Sequence, residues 1–140
     1  MLAEVDDVLP GRTPTAADLT RLPWTTACVQ DSQRYSAVWL IAREAIEDDL
    51  IDGHHVRAGT TVLIPIHHIH HDERGWPDPE TFDPTRFIGD AAKDRPRSAY
   101  LPFGGGRRIC ITQSFALTEM VLMVAIMSRR LTFDLCPTIR

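Results

Sequence analysis

The stretch YLPFGGGRRICITQSFALTEM, residues 100–120, sets three glycines, two arginines and one cysteine just ahead of a long apolar segment. It admits three readings: a phosphate cradle, a plain turn, or the seat of a metal bound by Cys110. The phosphate reading fails its own context. Gly104-x-Gly106 has no third glycine at the required place, which is Ile109, no strand pattern leads in, and no Lys-Ser or Lys-Thr follows. Neither the dinucleotide fingerprint nor the P-loop is therefore present. The cysteine reading has a physical basis. Orphan N–H groups and the positive dipole end of a helix N-terminus stabilise a thiolate. Arg107 and Arg108 add positive charge beside Cys110, and both effects lower a thiol pKa. Glycines ahead of the cysteine let the backbone fold tightly beneath a flat ligand, and Phe103 offers that ligand an apolar wall. A lone cysteine is more often a buried structural residue, but the flanking pattern here favours a ligand.

Working outward, Thr112 to about Arg130 has the length and apolar content of a buried helix, and LTFDL (131–135) reads as a terminal strand. Upstream, prolines at 77, 79, 84, 96 and 102 forbid long regular elements between His67 and Pro102. The segment should be extended and wrap something, with one short helix near Pro79–Phe82. An irregular stretch of this length inside a domain is more often functional than idle. AVWLIARE (37–44) is a strand candidate. IDGHHVRAGTTVLIPI (51–66) gives a turn, a short strand and a more buried strand over Thr60–Ile66, the two strands pairing as an antiparallel hairpin or small sheet. Pro23 opens a helix to Tyr35, after a short helix around Ala16–Arg21. Residues 1–14, closed by LPGRTP, read as a surface lead-in.

The 140-residue length favours one domain, and 44% hydrophobic with 24% charged residues is an ordinary globular composition. A net charge of −4 argues against a nucleic-acid partner, which needs a basic face. Cys28, Cys110 and Cys136 make an odd count with no Cys-x-x-Cys, against a disulfide framework or a zinc knuckle. A reducing, cytoplasmic location fits. No signal peptide is visible, and the most apolar stretch, Phe115–Met127, contains Glu119 and is too short for a transmembrane segment.

Phe103-x-x-Gly106-x-Arg108-x-Cys110 resembles the heme-binding signature of the cytochrome P-450 family, the heme-thiolate monooxygenases. The rest of the chain agrees in order and spacing, from about Leu9 to Leu135. Asp31-x-x-Arg34 resembles the family's Glu-x-x-Arg pair on the K helix. FDPTRF resembles the Pro-Glu-Arg-Phe segment and makes Arg86 the third member of that ion-pair triad. WPDPETFDPTRF resembles the meander. The fold implied is α+β and mainly helical: the C-terminal part of the family fold, with K helix, small antiparallel sheet, meander, cysteine loop and L helix, as a single partial domain over 1–140.

The resemblance implies heme (iron protoporphyrin IX) as cofactor, with Cys110 as metal ligand and thiolate. It implies Arg108, and by position Arg43, as partners of the heme propionates. Phe103 would lie near the sulfur, and Gly104 and Gly106 would belong to the heme-binding loop. Asp31, Arg34 and Arg86 would hold the meander against the core. It also implies a redox partner, a ferredoxin or a flavoprotein reductase, and a hydrophobic small-molecule substrate oxidised with dioxygen. The sequence departs from the pattern at Thr112, where the family has glycine, and at Asp31, where it has glutamate. The distal half of the fold is not in this sequence, which has no Ala-Gly-x-Asp/Glu-Thr run. The expectation is that the isolated chain does not turn over, and the alternative reading is a truncated remnant. All six histidines, His54, His55, His67, His68, His70 and His71, fall within eighteen residues. A His-rich metal-binding module is the other alternative, set against a polar strand end.

Overall fold

The computed structural model describes residues 1–134. Cys136 and Leu135 lie outside the described residues, and residues 131–134 take no strand conformation. The helices are α1 (Leu2–Val8), α2 (Pro23–Tyr35), α3 (Ile66–His70), α4 (Asp90–Lys93) and α5 (Gln113–Arg130). The strands are β1 (Ile41–Glu44), β2 (Asp49–Ile51), β3 (His54–Val56) and β4 (Thr61–Ile64). These form two compact units: residues 1–31, 83–93 and 111 onward, and residues 32–82 and 94–110. The division falls inside α2. Among the described residues no helix is long and apolar enough to cross a membrane.

The first unit is built on helices. Residues 1–14 are not a lead-in: Val5 of α1 and Leu9 just beyond it are fully buried. They stand four apart, one turn up the same face. α5 presents Leu117, Val121, Val124 and Ala125 at the three- and four-residue spacing of an apolar stripe, with Val121 and Ala125 fully buried. Together with Leu22 and Val29 these residues make one apolar cluster. Each large member stabilises the unit by about 1.5–3 kcal/mol on burial. Arg129 fastens the end of α5 to α1, donating from Nη1 to the Leu9 carbonyl at 2.8 Å and pairing with Asp6 at 3.2 Å.

α2 begins at Pro23, whose missing N–H costs nothing at the first helical position. The next two N–H groups, of Trp24 and Thr25, both donate to the Glu4 carboxylate at 2.8 Å, and the Thr25 hydroxyl donates to it at 2.7 Å. A side chain twenty residues upstream thus satisfies the orphan donors of this helix. Before it, the 3-10 helix Ala16–Arg21 is set by Asp18, which accepts from the Thr15 N–H at 2.9 Å and takes both prongs of Arg12. The Arg12 hydrogen bonds, chiefly, hold the Asp18 carboxyl well below the usual carboxylate range.

The second unit is mostly loops on two small antiparallel pairs. β1 pairs with β4, Ile41 facing Ile64 and Arg43 facing Val62, and β2 pairs with β3, Ile51 facing His54. The sequence favoured β3 against β4. Asp52-Gly53 decides otherwise: both residues have positive φ, 48° and 81°, the geometry of a two-residue hairpin turn, so β2 and β3 close on each other. The turn over residues 57–60 then returns β4 along β1, with Gly59 N donating to Ala45 O at 2.7 Å.

Between His67 and Pro102 regular structure comes only in short pieces. The helix expected near Pro79–Phe82 is absent. A turn on Asp78 stands there, and a 3-10 helix follows at Pro84–Phe87, with Asp83 accepting from Thr85 N at 2.9 Å. The reason is that the carbonyls a helix would use are taken: those of Pro79 and Thr81 accept from Arg34, at 2.6 and 3.0 Å.

Candidate functional site

The cysteine loop, residues 101–110, folds on itself. Gly104 N donates to Leu101 O at 3.0 Å, and a single 3-10 turn over Gly106–Arg108 follows, with Ile109 N donating to Gly106 O at 3.2 Å. Cys110 N then donates back to Phe103 O at 3.0 Å. The two ends of Phe103-x-x-Gly106-x-Arg108-x-Cys110 are thereby brought together. Gly104 and Gly106 carry φ of +76° and +64°, the left-handed region that side chains with a Cβ resist. A Cβ on Gly106 would meet nothing within 4 Å, whereas one on Gly105 would stand 3.3 Å from the Leu101 side chain.

Cys110 is an exposed thiol, and Arg107 and Arg108 beside it are exposed as well. Phe103 is half-buried. Arg43 lies on β1, with Nη1 bonded to the neighbouring Ala42 carbonyl at 2.8 Å. The loop meets that strand: a Cβ on Gly104 would stand 3.8 Å from the Ile41 side chain, and Arg43, two residues on, projects from the same face as Ile41. Cys28 contrasts with Cys110. It is half-buried on α2, and burial pushes its thiol pKa up, away from a ligand's requirements.

The structure also places residues that the sequence reading did not assign to the site. Ile66 and His70 are buried on one face of α3. His70 is therefore not part of a polar strand end. Its Nε2 accepts from Leu101 N at 2.8 Å, which leaves its proton on Nδ1. Burial, chiefly, pushes the His70 pKa down to about 4, and the positive Arg34 adds to the shift. Trp76 is fully buried, and its Nε1 donates to Ala99 O at 2.9 Å. Tyr100, between the two anchored residues, stacks on His70 at 5.3 Å and meets Trp76 edge-on at 5.9 Å. The signal for His70 was the Ile66/His70 spacing of four, masked by the five histidines around it.

Those other histidines do not gather. His54 and His55 are exposed on β3, His68 is exposed on α3, and His67 and His71 stack at 4.1 Å. Among the described residues no group of three or more His, Cys, Asp or Glu side chains is placed to hold a metal ion.

Asp31 and Arg34 of α2 are both fully buried. Arg34 binds the carbonyls of Pro79, Thr81 and His70 and lies 5.4 Å from the Trp76 ring centre. Asp31 accepts from the Asp83 N–H. Arg86 approaches Asp83 at 4.0 Å.

The donor set of the loop is one soft thiol, flanked by guanidinium groups, on a backbone stripped of side chains at Gly104–Gly106. Such a set would suit a flat group whose metal takes a thiolate and whose rim carries carboxylates.

The chain is similar to known proteins over nearly its whole length. Residues 1–139 match the family model for cytochrome P450. Cytochrome P450 132 of Mycobacterium tuberculosis is 71% identical over 138 residues, 98% of this chain and 30% of that protein. The cyclooctat-9-en-7-ol 5-monooxygenase of Streptomyces melanosporofaciens is 42% identical over 129 residues, 91% of this chain and 28% of that enzyme. The crystal structure of the cytochrome P450DA heme domain superposes with a TM-score of 0.82 at 33% identity, over 90% of this chain and 29% of that one. The chain spans about 30% of the length of these relatives.

Proposed function

The chain belongs to the cytochrome P450 family, whose cofactor is heme iron, and from that premise we propose that Cys110 is the thiolate ligand and that the protein is a monooxygenase. Thiolate-ligated heme supplies oxygen-activating chemistry, because sulfur pushes electron density onto iron and favours O–O cleavage. The residues of this chain hold the ligand in place. The Cys110 N–H bond to Phe103 fixes the backbone that carries the sulfur. Gly104 and Gly106 keep that backbone free of side chains where the flat group would lie. Arg108 and Arg43 would bind the propionates as charge-assisted partners. Phe103 would shield the sulfur from water, which keeps the thiolate's electron density directed at the metal.

The substrate proposed is a hydrophobic organic molecule, in line with a relative named for oxygenating cyclooctat-9-en-7-ol, and the electrons would come from a redox partner protein. The observation that carries the reading is the exposed Cys110 at the end of a loop closed onto Phe103. Reduced, heme-loaded protein under carbon monoxide should show the thiolate-type Soret shift, and Cys110→Ser should abolish it. A shift that survives the substitution would remove Cys110 from the iron.

A further inference from the structure

We infer that His70 and Trp76 are positioning residues for the cysteine loop, a two-point brace on the backbone either side of Tyr100 that sets where Cys110 begins its approach to the heme. The inference rests on the heme-ligand reading of Cys110 above. Its geometry is independent of it. The loop is closed by its own bonds, Cys110 N to Phe103 O and Gly104 N to Leu101 O. Such internal bonds fix its shape but not its placement. Placement comes from outside: Leu101 N donates to His70 Nε2, and Trp76 Nε1 donates to Ala99 O. The two anchors use opposite polarities, one acceptor and one donor, on residues two apart. Tyr100 fills the gap, stacking on His70 and meeting Trp76 edge-on.

Both anchors are themselves fixed. Both rings are fully buried, and the Arg95 guanidinium lies 3.8 Å over the Trp76 ring. Arg34 donates to the His70 carbonyl at 3.3 Å and lies 5.4 Å from the Trp76 ring centre. A brace of rigid, buried aromatic rings holds a segment in register better than flexible side chains do, because little rotamer freedom is left to lose.

The chemistry gives the brace a pH limit. An imidazole accepting at Nε2 cannot be protonated there without losing the Leu101 bond. The charged and titratable groups that face His70 are Arg34 from α2, His71 beside it and the stacked Tyr100. Burial and the positive Arg34 oppose protonation, and the bond should hold down to mildly acid pH. Glutamine places an acceptor oxygen near the position of Nε2 and does not titrate, so His70→Gln separates the acceptor role from the ring.

The test compares wild type, His70→Phe, His70→Gln and Trp76→Phe. In the heme-loaded protein, the fraction of ferrous carbon-monoxide complex with the thiolate-type band is followed from about pH 7.5 down to about pH 4. His70→Phe should lose part of the band at every pH, and His70→Gln should retain it with a flatter acid limb than wild type. Trp76→Phe, which removes the N–H together with part of the buried ring system, should fall between them. In the heme-free protein, exchange of the Leu101 amide should be faster by about fivefold in His70→Phe, the factor one net hydrogen bond corresponds to, and restored in His70→Gln. Should His70→Phe not fold, the other two variants decide. Equal bands and equal exchange in all variants, or His70→Gln behaving as badly as His70→Phe, would overturn the brace. Absence of the band in wild type would overturn the ligand reading instead, and the exchange result alone would then judge the brace.

Discussion

The two units are held by different physics. The helical unit contains the apolar cluster of Val5, Leu9, Leu22, Val29, Val121 and Ala125. The loop unit has few buried apolar residues, and at its centre stand Arg34, His70 and Trp76, all fully buried. The difference follows from backbone accounting. A helix satisfies its own N–H and C=O groups, so its side chains are free to be apolar. A proline-rich segment leaves carbonyls and amides without partners, and burying them without hydrogen bonds is costly. The loop unit supplies the partners from side chains: Arg34 for the carbonyls of His70, Pro79 and Thr81, His70 for the Leu101 amide, and Trp76 for the Ala99 carbonyl. Irregular backbone near the cysteine loop is thus held by buried polar groups rather than by packing alone.

Four measurements break or sharpen that contrast. Arg34→Ala should have the largest effect, roughly 3–5 kcal/mol, because it strands buried carbonyls rather than removing area. The loss should appear in urea unfolding, with hydrogen exchange rising first in residues 32–82 and 94–110. Arg34→Lys should recover less than half of it, since an ammonium cannot span the fork of acceptors. If alanine here costs no more than a surface substitution, the polar account of the loop unit fails.

Leu9→Ala tests the other side. It should cost about 3 kcal/mol, the transfer and cavity loss of a buried leucine, with its signature in exchange from α1 and α5. A cost below about 1 kcal/mol would mean that the cluster relaxes to fill the space.

The third is acidification. His70 has a folded pKa of about 4, below the ordinary 6.5. The unfolded chain therefore binds the proton more readily. The stability from neutral His70 is complete above about pH 6.5 and is lost as pH falls toward 4, on the order of 2 kcal/mol after allowance for screening. The slope between pH 6.5 and 4 should shrink in His70→Gln. Asp18, whose folded pKa is depressed, adds a separate loss only at lower pH, below its usual range. An unchanged slope in His70→Gln would assign the acid sensitivity elsewhere.

The smallest is Glu4→Ala. Removing the acceptor of the Trp24 and Thr25 amides should cost about 1 kcal/mol, as loss of a helix cap does, and Glu4→Gln should cost less. Thermal unfolding of the three proteins would rank them.

What was legible in the sequence was what short-range physics determines. Pro23 placed the start of α2, and the apolar spacing in residues 112–130 placed α5. The glycine–arginine–cysteine order of residues 103–110 pointed to a thiolate loop, because few other chemistries need a bare backbone, positive charge and one soft donor together. Asp31 and Arg34 could be singled out by their spacing, although a spacing of three says nothing of what each side chain binds.

The rest depended on partners far apart in the chain. Residues 1–14 looked like a lead-in because seven helical residues carry too little signal alone; α1 stands because Val5 and Leu9 find the α5 stripe and Glu4 finds the N-terminus of α2. The strand pairing differs from the expected one because apolar content ranks strands by burial, whereas the positive φ of Asp52 and Gly53 chooses the neighbour. The helix expected at Pro79–Phe82 gave way to Arg34, a side chain some 45 residues away that competes for the same carbonyls. His70 was hidden among five other histidines, and no local pattern marks which one meets an amide thirty-one residues on. The sequence by itself determined the glycine–arginine–cysteine loop and the helices α2 and α5, since their causes lie within a few residues. Tertiary structure alone decided which buried polar groups hold that loop, because a hydrogen bond between distant residues leaves no periodic trace in either segment.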